Sequence, residues 1–547
     1  MGLMPFPIVL LVSLFVAGGS LALGYKRSPN LGLALVLLIL VLHGLLYLGA
    51  TVDDAFISFR YSANLADGQG IVWNPGERVE GYTNFLWVLL LAAPASFGIS
   101  LVISSQVLGF TFSAALLLVI RQLAGVWDAR LTGQQRRLVT LTTSLALVLS
   151  APFAFWTFAG LETTLFAFLV TAGAMLHLRE ESEGYHFYWS GPVFFLAALT
   201  RPEGLLFFGI TWIFKALGLI RLKGDRDTLL TFLVWSAMFF VLFGVYFLWR
   251  YQYYGYLLPN TFYAKVPLGF LQFERGLAYL TSFATLYVGF LVLVLPLAAF
   301  FSSDKRQPLY LMSLLASWIV YVLYIGGDTL AQFRLLVPIM PIFYFLLMIS
   351  AVQAFEVLRA ARPKDSLMPA MGLAVLAIAA AGILYPSQAA WDTHWEREST
   401  AEHSAIGRWL RDNAPEDYTI AVFPAGAIPY YSQLPAIDMF GLNDEYIAHK
   451  SVSGFGSGGA GHEKYDGAYV FSRRPEIILP HAAYNVRDWT RTDYEALLPI
   501  LHLRAVTDMM SDELFWDVYS EMSVQLEPGL WFNFFLRRDA PIPSLER

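Results

Sequence analysis

Residues 51–87 read TVDDAFISFRYSANLADGQGIVWNPGERVEGYTNFLW. This polar stretch follows directly on an apolar run, and apolar runs soon resume after it. It holds the adjacent carboxylates Asp53 and Asp54, the guanidinium of Arg60, several aromatics, and the turn residues Gly68, Gly70, Pro75, Gly76 and Gly81. A carboxylate at mid-bilayer costs roughly 2.5–3.5 kcal/mol on insertion scales, and less at the edge. Two at the end of an apolar run therefore point to a task, although acidic residues in a helix's first turn are also favoured by the dipole alone. If 53–65 is helical, residues seven apart lie on nearly one face, about 10 Å apart along the axis. Asp53, Arg60 and Asn64 then share a face flanked by Phe56, Phe59 and Ala63, and Asp54 points about a quarter-turn away. Such a face places a carboxylate base beside a phosphate-binding arginine.

The surrounding composition is that of an integral membrane protein. The chain has 547 residues, 57% hydrophobic and 14% charged, against about 25% charged in soluble domains. Its net charge of −6 gives no sign of a nucleic-acid partner. The absence of cysteine excludes disulfides, thiol chemistry and cysteine-ligated zinc. Aromatics make up 16%, which suits membrane-interface belts and sugar or lipid surfaces.

Runs long enough to span a bilayer need about 20 apolar residues. Candidates fall at 5–24, 31–50, 100–121, 138–158, 162–178, 187–200, 204–219, 229–249, 277–300, 309–325, 335–357 and 368–385, with 84–98 as a membrane-edge helix. The basic clusters Lys26/Arg27, Arg121 to Arg137, His177 to Arg179, Arg221 to Arg226, Lys305/Arg306 and Arg359 to Lys364 occupy every second loop. Positive charge stays cytoplasmic, so the alternate loops, and the 51–87 stretch with them, are expected on the outer face. The expected organisation is a polytopic α-helical domain over 1–385, with about 11–12 spans, and an extracytoplasmic α/β domain over 386–547. In the latter, HSAIGRWLRDNAPED (403–417) has helical spacing, while YTIAVF (418–423), PEIILP (475–480) and LWFNFFLR (530–537) read as strands. Residues 451–467 are a Gly/Ser-rich loop.

Other polar groups fall at outer helix ends. Glu162 stands in AGLETTLF, and Arg201 with Glu203 in LTRPEGLLF, where Pro202 and Gly204 break a helix. Irregular backbone at membrane depth is tolerated only within protein or at a watery cavity; a paired Arg–Glu brace is the plainer alternative. Asn260 and Lys265 lie in the aromatic stretch YQYYGYLLPNTFYAK, suited to a lipid-phosphate or sugar site, or to an interfacial belt. Asp328 and Arg334 lie in GGDTLAQFRLLVPIMP, and Arg334 fits phosphate by its planar fork. Tyr82, Trp73 and Trp87 are interfacial anchors or sugar platforms, and Glu77, Arg78 and Glu80 read singly as loop solvation. His394, His403, His449, His462 and His481 lack zinc-site spacing. No Walker A, no GxGxxG after a strand and no GxSxG elbow is present.

The 51–87 stretch resembles the first loop of bacterial GT-C membrane glycosyltransferases, the group that includes the terminal arabinofuranosyltransferase (AftB-like) family. GLETTLF (160–166), LTRPEGLL (199–206), YYGYLLPNTFYAK (253–265), GGDTLAQFRLLVP (326–338) and AGAIPYYSQLPAIDMFGLND (425–444) extend the resemblance in order along the chain. It implies a polyprenyl-phosphate-sugar donor, such as decaprenyl-phosphate arabinose, and a glycan or protein acceptor. It also implies an outer-face site in the plasma membrane and a first-loop base at Asp53 or Asp54, with Asp53 favoured. Arg60, Arg201, Lys265 and Arg334 are then the candidates for the leaving phosphate. Glu162, Glu203, Tyr82, Asn260 and Asp328 are the candidate substrate contacts. A divalent cation (Mg, Mn or Ca) on Asp53, Asp54 or Asp328 is compatible with this chemistry. One base suggests inversion; a second carboxylate acting as nucleophile, for which Glu162 is the candidate, would give retention. A lipid-linked-sugar transporter would instead place charges mid-span in paired repeats, and a glycan-binding sensor would form no product.

Overall fold

The computed structural model describes residues 6–26, 28–127, 131–183, 188–221, 226–267, 269–288, 305–361, 386–480, 487–497 and 503–545. The span expected at 368–385, the second half of 277–300, the basic residues Arg27, Arg130, Lys223, Arg362 and Lys364, and His481 lie outside them.

Among the described residues, four helices are long and apolar enough to cross a membrane: Leu101–Val126, Arg226–Tyr254, Arg306–Ile325 and the continuous stretch Arg334–Gln353. The Arg226–Tyr254 helix shows why composition alone identifies such a segment. It presents Leu233, Val234, Phe240, Val241, Val245 and Leu248 to the exterior, each at least half exposed. A helix apolar all round is at home in lipid. Gly133–Leu149 and Ala151–Phe158 together would make a fifth span, but they meet at 69°. The run expected as one span over 138–158 is thus broken at Ser150, ahead of Pro152, whose ring cannot continue an incoming helix. The pair expected at 187–200 and 204–219 appears as Ser190–Thr200 and Gly204–Arg221, with Arg201, Pro202 and Glu203 in the turn. A Cβ on Gly204 would stand 2.3 Å from the Ala198 nitrogen, so the turn depends on glycine there. The edge helix at 84–98 is Phe85–Ala95, eleven residues and about 16 Å long.

The chain groups into two compact units. One comprises Met1–Gly49, Val102–Trp249 and Gln272–Thr393; the other comprises Ala50–Leu101, Arg250–Leu271 and His394–Arg547. The division expected at residue 385 is therefore one of sequence composition, whereas the second unit gathers three separate segments.

The second unit is built on a five-stranded sheet of order β2-β1-β3-β5-β4. Its strands are β1 (Ile420–Val422), β2 (Ala436–Asp438), β3 (Ile477–Ile478), β4 (Tyr519–Glu527) and β5 (Leu530–Arg537). β1 pairs in parallel with β2 and β3, while β5 is antiparallel to β3 and β4. The three strands read from the sequence fall at β1, β3 and β5. The short β2 and the alternating, half-exposed β4 lacked a continuous apolar run. Both faces of the sheet are covered, so β5 reads as near-unbroken apolar sequence. Ile420, Val422, Ile477, Phe532 and Phe534 face one cluster, and Ala421, Ile478 and Phe535 the other, with the two-residue period of a strand. The first cluster also contains Ile57, Tyr61, Ile71, Trp73 and Tyr82 from the first loop and Tyr254 and Ala264 from the middle segment. The first loop is thus one wall of the sheet's own core.

Phe534 is fully buried in that cluster, so Phe534→Ala is expected to destabilise the protein by about 3–5 kcal/mol. Chemical denaturation of the detergent-solubilised chain measures this, and a loss under about 1 kcal/mol would mean the core is not packed as described.

Candidate active site

The geometry around the 51–87 stretch lies within the second unit. The 51–87 stretch begins with the helix Asp53–Ala66, whose cap residue Val52 offers no side-chain acceptor. Thr400 Oγ1 donates to the Thr51 carbonyl at 2.7 Å, which pins the chain just before the first turn. Asp53 then accepts three hydrogen bonds from distant residues: His403 Nδ1 at 2.8 Å, the Gly426 amide at 3.0 Å and the Ala427 amide at 3.0 Å. The approach at Gly426 is so close that a Cβ there would lie 1.9 Å from the Asp53 carbonyl oxygen and 2.5 Å from its carboxylate. Burial raises the Asp53 pKa, but His403 and the two amides outweigh it and leave the carboxyl below its ordinary range.

Arg60 lies two turns along the same face and is buried. Its Nε donates to the Trp73 carbonyl at 2.6 Å, and Nη2 donates to Leu434 O at 2.8 Å and Asn74 Oδ1 at 3.1 Å. Nη1 donates to the Pro429 carbonyl. Burial lowers its pKa to about 10, so it stays charged at neutral pH. Asn64, on the same face, donates to the Val72 and Trp73 carbonyls at 2.8 and 3.1 Å. The shared face expected for Asp53, Arg60 and Asn64 therefore exists, but it docks on backbone. The phosphate-binding role expected of Arg60 is corrected: its guanidinium clamps 72–74 to 429–434. Asn74 completes the clamp at the edge of the sheet. Its amide donates to the Ala436 carbonyl at 2.8 Å and accepts from the Ala436 N–H at 3.1 Å, as a neighbouring strand would.

Asp54 points elsewhere. Its side chain is 31% exposed, and Lys265 Nζ, equally exposed, stands 4.0 Å from Oδ2. A long ion pair at this exposure contributes at most about 1 kcal/mol, so an incoming oxyanion can replace Asp54 as the partner of Lys265. The Gly/Ser-rich loop reaches this place as well: a Cβ on Gly461 would lie 3.0 Å from the Lys265 Cε.

Other expected contacts are structural. Tyr82 is buried, its ring edge-on to Tyr61 at 4.7 Å and its hydroxyl 3.0 Å from that of Tyr254, so it does not face a ligand. Asn260 is buried, and its amide donates to the carbonyls of Gly441, Leu442 and Asp444 at 2.9, 3.0 and 3.2 Å. Trp73 and Trp87 are buried and are neither interfacial anchors nor exposed platforms. Glu80, read as loop solvation, is buried against Arg250, with Nη2–Oε2 at 2.7 Å and Nε–Oε1 at 2.9 Å. Sequence reasoning assigned no site role to His403, Gly426 or Asn74; their partners lie about 350 positions away, so no local signal marks them.

Within the first unit, Arg201 bridges Glu162 and Glu203 at 2.8 Å each, and Tyr321 donates to Glu203 at 2.7 Å. Two carboxylates on one guanidinium repel a phosphate, so the Arg–Glu brace is the observed arrangement and the phosphate role of Arg201 is corrected. Glu162 and Glu203 are held in the same brace. Arg334 Nε lies 2.7 Å from Asp328 Oδ2, with the guanidinium 5.9 Å from the Trp156 ring centre.

Among the described residues no group of three or more His, Asp or Glu could hold a metal ion. Of the three carboxylates considered for a cation, Asp53 takes three N–H donors and Asp328 an arginine.

Comparison with known proteins bears on the whole arrangement. Residues 389–518 match a family model described as a domain of unknown function, DUF8728. The terminal beta-(1->2)-arabinofuranosyltransferase of Mycobacterium tuberculosis is 29% identical over 282 residues, 48% of this chain and 43% of that protein. The chain thus spans less than half the length of that curated relative. Two structures of ArnT from Cupriavidus metallidurans are similar across nearly the whole chain. One, bound to undecaprenyl phosphate, has a TM-score of 0.57 at 11% identity and covers 93% of this chain and 99% of its own. The apo structure has a TM-score of 0.55 at 12% identity and covers 94% and 100%. At such identities the likeness is one of fold, and the fold is the expected one: a helical GT-C membrane architecture with a C-terminal α/β region.

Asp53→Asn is expected to lower the thermal midpoint at pH 7. The sign follows from the depressed native pKa. Ionised Asp53 stabilises the fold above the ordinary value of 3.8, and that stabilisation is lost as pH falls through the lower native value. The gap between variant and wild type should therefore narrow in acid; a gap independent of pH would show that the carboxylate charge is not what holds 426–427.

Proposed function

We propose that this protein is a polyprenyl-phosphate-sugar-dependent glycosyltransferase of the plasma membrane that adds arabinofuranose to a cell-envelope glycan at the outer face. Asp54 is its general base. The observation that carries this is the asymmetry of the two aspartates. Asp53 accepts three hydrogen bonds, from His403, Gly426 and Ala427, while Asp54, 31% exposed against 22% for Asp53, has among the described residues a long contact to Lys265. A base must reach the proton that it removes, and Asp54 has that access. The roles first expected of the pair are therefore exchanged, with Asp53 as the positioning residue. The GT-C fold, the 29% identity to an arabinofuranosyltransferase and the undecaprenyl phosphate bound by an ArnT of the same fold support the donor class and the sugar.

In the reaction, the Asp54 carboxylate takes the proton of the acceptor hydroxyl as its oxygen bonds to the anomeric carbon. The bond from that carbon to the phosphate oxygen breaks, and the lipid phosphate leaves with the electron pair. Lys265 is the cation beside Asp54 that meets the phosphate charge. With Asp53 engaged by three donors, Asp54 acts as a single base, and the displacement is single and inverts the anomeric centre.

Asp54→Asn is expected to cut kcat by about 10²–10⁴-fold with an unchanged thermal midpoint, whereas Asp53→Asn lowers both. Transfer from synthetic polyprenyl-phosphate arabinose, with mannose and glucose donors in parallel, measures this. Full activity in Asp54→Asn would exclude it as base. Lys265→Met should raise the donor KM more than that of the acceptor.

A further inference from the structure

A cleft of about 670 Å³ in the second unit lies between residues 77–79, Tyr256 and the 436–473 region. Pockets of this size accept drug-sized ligands and exceed what one monosaccharide needs. Its lining is aromatic and polar together. Tyr446, 54% exposed, stacks on Tyr469 with ring centres 4.3 Å apart and planes 22° from parallel. The exposed His449 ring lies 4.7 Å from that of Tyr256 and 4.1 Å from that of Tyr263. Flat rings of this kind offer apolar faces to the C–H side of a sugar ring.

The charged groups decide the ligand class. Glu77, Asp444 and Glu445 face Arg78, Lys450 and Arg473, so the lining carries no net charge. Most of these are oriented by neighbours. Tyr256 donates to Glu445 at 2.5 Å and Tyr469 to Asp444 at 3.1 Å. Arg473 donates to the Tyr469 hydroxyl at 2.8 Å, and Lys450 to Asp466 at 2.5 Å. Arg78 lies over the Tyr253 ring at 4.7 Å. A polyanion would need an excess of cations; balanced, pre-oriented donors and acceptors beside flat rings suit a neutral, polyhydroxylated chain.

The cleft is also joined to the base. The helix Asn260–Lys265 has six residues, about 9 Å long. Its Tyr263 packs on His449 at the cleft, and its Lys265 stands by Asp54. We propose that this cleft is the acceptor subsite, holding the inner sugars of a neutral oligosaccharide while its terminal hydroxyl reaches Asp54. The proposal rests on the glycosyltransfer reading for its purpose, but not for its ligand.

The test uses the full chain in detergent and measures binding without donor by calorimetry. The ligands are a neutral arabinofuranose hexasaccharide, a mannose hexasaccharide and a sulfated oligosaccharide. A neutral hexasaccharide should bind saturably and better than the sulfated one. Tyr446→Ala, at an exposed position, should weaken binding about tenfold, and Tyr446→Trp should restore it. In transfer assays Tyr446→Ala should raise KM for the hexasaccharide with kcat and the KM of a monosaccharide acceptor unchanged. Equal binding by Tyr446→Ala, preference for the sulfated ligand, or no binding of either neutral chain would overturn the subsite. If binding behaves as expected while wild type transfers from no donor, the carbohydrate cleft stands and the transferase reading is what fails.

Discussion

A buried charge has to be met by dipoles or by an opposite charge, and in this protein that requirement sets the position of the first loop. Asp53 and Arg60 lie on one face of one helix; Arg60 is buried, and the Asp53 side chain is 22% exposed. Backbone amides at 426–427 meet the carboxylate, and backbone carbonyls at 73, 429 and 434 meet the guanidinium. Leaving either group without those partners would cost several kcal/mol. The helix can therefore dock on the 426–434 segment in one register only. Gly426 permits the approach, because a side chain there would occupy the space of Asp53.

Everything placed around the candidate base follows from that docking. With Asp53 turned inward, the helical rotation of about 100° per residue carries Asp54 to the partly exposed side facing Lys265. With Arg60 clamping residues 73–74, Asn74 reaches the edge strand β2 and terminates the sheet with a side chain. Tyr61, Trp73 and Tyr82 then fill one side of the sheet's core. Arg250 and Glu80 tie the middle segment to the first loop as a bidentate pair, and Asn260 does the same towards 441–444. Residues that look functional by type and position, such as Arg60, Tyr82 and Asn260, are thus part of the frame around the candidate base.

The strands read at 418–423, 475–480 and 530–537 were legible because both sheet faces are buried and each leaves an apolar run. β2 and β4 were not, since β2 is three residues long and β4 alternates half-exposed polar residues at the sheet edge. The break at Arg201–Glu203 was legible from Pro202 and Gly204, and the Arg–Glu brace was one of the two arrangements its residues allowed. The aspartate pair was legible as a candidate site because charge beside apolar sequence is costly. The division of labour within it was not, because it depends on His403 and on two amides that carry no side-chain signature.

By itself the sequence determined the membrane character, the helical class with its C-terminal α/β region, and the stretch where the candidate catalytic residues concentrate. These are written in hydrophobic run lengths, local periodicity and the cost of placing charge, which neighbouring residues settle among themselves. Only the tertiary structure decided which aspartate is anchored and which is accessible, that Arg60 is a clamp, and that loop residues such as Glu77 and Arg78 line a neutral aromatic cleft. Those assignments depend on hydrogen bonds between groups some 350 positions apart, many of them backbone groups that every residue possesses, so their choice of partner is made by packing and leaves no mark in the local sequence.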